Sequence, residues 1–160
     1  MMERLINQVH KLLIKRKKTI AVAESCTAGL VSTLLTQVSG SSKYFILGVV
    51  TYSNKAKEAL LKIPANLIAK KGAVSQEIAQ KMAQSIRRLA KTDFGIGITG
   101  IAGPTGGISR KPVGTVFVAI DSKNKIICRK FHFIGNRITI RKKTALKALE
   151  LLLSVIALSC

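Results

Sequence analysis

The sequence predicts an α/β fold: a three-layer α/β/α sandwich on a mixed sheet that includes one antiparallel hairpin. Two observations predict it. Short β-branched runs alternate with stretches whose apolar residues recur every three or four positions, a pattern that puts helices on both faces of a sheet. Two strand-like runs near the C-terminus are instead joined by a short polar turn, which marks a hairpin. At 160 residues the chain is long enough to bury a sizeable core, and one domain across residues 1–160 is expected.

The elements follow in order. Leu5, Ile6, Val9, Leu12 and Leu13 predict an amphipathic helix over residues 3–16, ending in a basic turn that suits its C-terminal dipole. Thr19 to Ala23 is a buried strand, and Thr27 to Val38 reads as a second helix closed by Ser39 and Gly40. Phe45 to Tyr52 is a β-branched run, after which Ser53 and Asn54 cap a helix across Lys55 to Lys62. Pro64 suits the first turn of a short helix ending near Gly72. Ser75 caps the clearest helix, whose apolar stripe runs through Ile78, Met82, Ile86 and Ala90. Asp93 to Thr99 is a strand, and Gly100 to Pro112 is too rich in glycine and proline to be regular. Val113 to Ile120, the turn Asp121 to Asn124, and Lys125 to Phe133 form the hairpin, and Ile138 to Leu158 a long final helix.

Three cysteines at wide spacing, Cys26, Cys128 and Cys160, with only His10 and His132, argue against a disulfide framework and against a metal site. The N-terminus is amphipathic and carries Glu3, unlike a signal peptide, and no apolar run is long enough to span a bilayer. A soluble cytoplasmic protein with no membrane partner is expected. The net charge of +20 attracts anions, but the basic residues lie in short clusters along the whole chain. With no Trp and two Tyr, base-stacking groups are scarce. A solvated basic surface is preferred, and nucleic-acid binding remains an alternative that reversing Arg141, Lys142 and Lys143 tests.

Three loops that follow strands concentrate unusual residues: Glu24-Ser25-Cys26-Thr27, Tyr52 to Lys57, and Gly100 to Pro112. Loops beyond the carboxyl ends of strands converge on ligand sites in open α/β sheets. Ser25 or Cys26, entering a helix, is placed where free amides stabilise negative charge. GIGITG (Gly95 to Gly100) fits the dinucleotide spacing formally, yet its glycines lie inside a strand and more loop follows.

Five ordered segments, AESCTAG (Ala23 to Gly29), GVVTYSNKAK (Gly48 to Lys57), GAVS (Gly72 to Ser75), TGIAGPTGG (Thr99 to Gly107) and KPVGTV (Lys111 to Val116), carry a resemblance. In order and spacing they resemble the CinA C-terminal domain family, the nicotinamide-nucleotide amidases. The resemblance implies hydrolysis of the carboxamide of nicotinamide mononucleotide to nicotinate mononucleotide and ammonia, without metal or organic cofactor. It implies Ser25 as nucleophile, Lys57 as a base kept neutral by its surroundings, and Tyr52 as a proton relay or an orienter of Ser25. Amides near Cys26 and Thr27 then form an oxyanion hole. The substrate is held by Thr99, Gly100, Ala102, Gly103, Gly106 and Gly107 of the glycine-rich loop, and its phosphate by that loop and Arg137.

Cys26 is the rival nucleophile. The family's usual acidic residues are replaced by Thr105 and Asn136, and its often acidic segment before KPVG by Ile108-Ser109-Arg110, which raises the positive potential near the loop. A homodimer or higher homo-oligomer is expected from the family and from the apolar end of the last helix. A nucleotide-binding module without turnover is the alternative to the amidase.

Overall fold

In a computed structural model describing residues 2–158, five strands form one mixed sheet in the order β2-β1-β3-β4-β5. β1 (Ile20–Glu24), β2 (Phe45–Val50) and β3 (Phe94–Gly100) are parallel. β4 (Thr115–Ser122) runs antiparallel to β3 and forms a hairpin with β5 (Ile126–His132). The helices α1 (Met2–Arg16), α2 (Leu30–Thr36) and α6 (Arg137–Leu158) share a core with one face of the sheet, through Val22, Ile96 and Val118. On the other face lie α3 (Asn54–Leu61), α4 (Ala65–Lys71) and α5 (Gln76–Ala90), against Ala21, Ala23 and Ala119. The three layers expected from the sequence are all present. Cys160 lies outside the described residues.

The glycines of GIGITG serve helix packing. A Cβ on Gly95 or Gly97 would run into the Ala83 or Ala79 carbonyl oxygen of α5, so glycine lets that helix lie directly on β3. Ser75 caps α5 as expected, its Oγ accepting from the Ile78 amide. Asp93 fastens the start of β3 to that of β1: one carboxylate oxygen accepts from the Thr19 amide (2.9 Å) and hydroxyl (3.0 Å), the other from Lys18 Nζ (2.9 Å).

The second helix differs from its sequence reading. It begins at Leu30, not Thr27, because Ser25 to Gly29 form a turn in which Ala28 and Gly29 take positive φ of 49° and 92°. The cap is Glu24, fully buried at the end of β1. Its carboxylate accepts from the Gly29 amide (3.1 Å), the Val31 amide (3.1 Å), the Ser32 amide (2.8 Å) and the Ser32 hydroxyl (2.7 Å). Carboxylate oxygens at a helix N-terminus satisfy its orphan amides. A further short 3-10 turn, Ser41–Lys43, precedes β2.

Candidate active site

Ser25 stands at the carboxyl end of β1, between the neighbouring strands. Its amide donates to the Ile98 carbonyl of β3, while the Thr51 amide after β2 donates to the Glu24 carbonyl. These bonds carry the sheet one step past its strands and fix the backbone under the serine. Beyond it, the Cys26 amide lies by its own sulfur at the edge of the site, while the Thr27 amide makes no hydrogen bond among the described residues but sits in a wholly buried residue.

Lys57 comes from α3, a helix started by Ser53, whose Oγ accepts from the Ala56 amide. The helix turns Lys57 inward, where it is 1% exposed. Its Nζ lies 3.2 Å from Ser25 Oγ and donates to the Thr51 (2.8 Å) and Tyr52 (3.3 Å) carbonyls. No carboxylate is among these partners. Burial lowers the Lys57 pKa from its ordinary value, because a desolvated ammonium is penalised relative to the neutral amine.

Cys26 is also buried, but burial pushes its thiol up to about 12. A group so protonated is a poor nucleophile near neutral pH. Its Sγ fills space below Gly100, where a Cβ would approach to 3.1 Å.

A cleft of about 340 Å³ opens above the Ser25 and Lys57 pair. It is lined by Ser25, Cys26, Tyr52 and Lys57, by Thr99, Gly100, Ala102, Gly103 and Gly106 of the glycine-rich segment, and by Arg137. Ten of the residues singled out in the sequence therefore meet at one place. Thr27 and Gly107 do not line it. Thr27 is wholly buried and its carbonyl accepts from Arg141 (2.9 Å), whereas Gly107 backs onto Val113. Among the described residues no group of His, Cys, Asp and Glu is arranged to hold a metal ion, and no helix is long and apolar enough to cross a membrane.

Arg137 starts α6 and crosses the mouth of the cleft. Its two terminal nitrogens donate to the Gly103 carbonyl and the Tyr52 hydroxyl, each at 2.8 Å. Asn136 caps α6, its Oδ1 accepting from the Thr139 amide (2.9 Å). Two residues escaped the sequence reading. Glu24 shapes the turn that carries Ser25, and Arg141, read there only as part of a basic cluster, pins that turn from α6.

The model of the CinA C-terminal domain family matches residues 2–156. A CinA-like protein from Syntrophus aciditrophicus is 48% identical over 151 residues, covering 94% of this chain and 36% of that protein. A CinA-like protein from Geobacter sulfurreducens is 46% identical over 142 residues, covering 89% and 34%. The chain thus spans about a third of the length of the curated relatives it matches. Solved structures are similar over nearly their full lengths. Competence damage-inducible protein A (ComA) from Klebsiella pneumoniae has a TM-score of 0.96 at 32% identity, with 99% of each chain covered. Competence/damage inducible protein CihA from Agrobacterium tumefaciens has a TM-score of 0.94 at 34% identity, with 96% of this chain and 94% of that one covered. Sequence, fold and the extent of the match agree that the chain belongs to the CinA C-terminal domain family.

Proposed function

We propose that the chain is a nicotinamide-nucleotide amidase that uses Ser25 as nucleophile and Lys57 as general base. The observation that carries this reading is the 3.2 Å approach of the buried Lys57 Nζ to Ser25 Oγ in an open cleft. A serine hydroxyl needs a base to become nucleophilic, and a desolvated amine without a carboxylate partner supplies one.

In the first step Ser25 Oγ attacks the carboxamide carbon while its proton passes to Lys57 Nζ. The Cys26 amide, next to Ser25 at the cleft, stabilises the tetrahedral oxyanion. Lys57 then returns the proton to the departing nitrogen, ammonia leaves, and an ester on Ser25 remains. Water, deprotonated by Lys57, attacks that ester, and the proton passes back to Ser25 as nicotinate mononucleotide departs. Arg137 and the loop amides hold the phosphate away from the reacting carbon.

Incubation with nicotinamide mononucleotide, followed by separation of the products, tests the reading. Nicotinate mononucleotide and ammonia in equal amounts are expected. Binding of the nucleotide without either product would contradict it.

A further inference from the structure

Tyr52 touches the site at two ends. Its backbone carbonyl accepts from Lys57 Nζ at 3.3 Å, while its hydroxyl accepts from the Arg137 guanidinium at 2.8 Å. Among the described residues no hydrogen bond joins the hydroxyl to Ser25 or to Lys57. The residue is 57% exposed, unlike Lys57 at 1%. Proton transfer between Ser25 and Lys57 is direct at 3.2 Å and leaves the tyrosine no gap to bridge.

The guanidinium has five N–H donors, and the Tyr52 hydroxyl and Gly103 carbonyl each engage one terminal nitrogen. Two acceptors from different loops thus fix the plane of a long, rotamer-rich side chain across the cleft mouth. Its remaining donors are free for an anionic oxygen, and an arginine held in advance loses less freedom on binding.

We propose that Tyr52 is a positioning residue: through its hydroxyl it holds Arg137 for the phosphate of the substrate, and it takes no part in the proton transfer. This rests on the reading of Arg137 as the phosphate anchor. It places the tyrosine in substrate selection, favouring phosphorylated over unphosphorylated ligands.

The test measures ribose 5-phosphate binding by calorimetry in the full chain, wild type and with Tyr52→Phe, Arg137→Met and both, with folding checked by circular dichroism. Wild type should bind, and Tyr52→Phe should weaken binding by up to about tenfold, the scale of ordering one rotamer-rich side chain on binding. In the Arg137→Met background the same change should have no further effect. With nicotinamide mononucleotide, the loss in Tyr52→Phe should fall on KM, with the pH midpoint of kcat where it is in wild type. The proposal is overturned if wild type does not bind ribose 5-phosphate, if Tyr52→Phe binds it as wild type does, or if its effect persists without Arg137. A fall in kcat with a displaced pH midpoint would overturn it in favour of a proton relay. Ribose 5-phosphate binding without ammonia release from wild type would remove the amidase reading, and the binding comparison would still decide the role of Tyr52.

Discussion

Lys57 Nζ reaches to 3.2 Å from Ser25 Oγ across 32 positions of sequence, and its other two contacts are backbone carbonyls. An amine with those partners has acceptors for its protons but no counter-charge, and its burial favours the neutral form.

With Lys57 as the proposed base, activity should require its neutral form, so kcat/KM should rise with pH through one ionisation to a plateau. The midpoint should lie below the ordinary lysine value of 10.5, because the pKa is lowered by burial. Stability shifts the same way: between the lowered folded pKa and 10.5 the unfolded chain binds the extra proton, so stability rises with pH across that window. A pH–rate profile alongside urea titrations at several pH values checks both.

Lys57→Met should therefore separate activity from stability. It removes the base but also the desolvated amine. Turnover should be lost while the urea midpoint stays at or above that of wild type.

Glu24→Gln should destabilise the fold. The glutamine has one oxygen where the carboxylate has two, and its amide nitrogen would oppose backbone donors at Gly29 and Val31 or at Ser32. A loss of roughly 2 kcal/mol is expected, lowering the melting temperature by about 4–8 °C. Thermal denaturation followed by circular dichroism measures it.

Gly97→Ala should damage the sheet more than its one methyl group suggests. The added Cβ meets the Ala79 carbonyl and the Ala83 amide of α5, backbone atoms that move only with the helix. A loss of about 3 kcal/mol in urea unfolding is expected.

Much of this molecule was legible in the sequence because its signals are local. The stripe from Ile78 to Ala90 and the hairpin turn each lie within a few residues, and both elements form there. The start of α2 was not legible. Thr27 has the chemistry of a cap, yet the capping group is the Glu24 carboxylate, which acts through a turn whose positive φ at Ala28 no pattern announces. The motifs singled out Ser25 and Lys57 and the resemblance Arg137, but the partner of the Tyr52 hydroxyl lies 85 positions away. Arg141 belonged to a run of cations, and only the fold shows it bound to the Thr27 carbonyl.

The central claim is that Ser25, activated by Lys57, attacks a carboxamide. The most direct measurement is ammonia release from nicotinamide mononucleotide by wild type, Ser25→Ala, Cys26→Ala and Lys57→Met at one pH on the plateau. The account predicts turnover by wild type and Cys26→Ala, with losses on the order of 10³-fold or more in Ser25→Ala and Lys57→Met. Turnover that survives in Ser25→Ala and disappears in Cys26→Ala would contradict it.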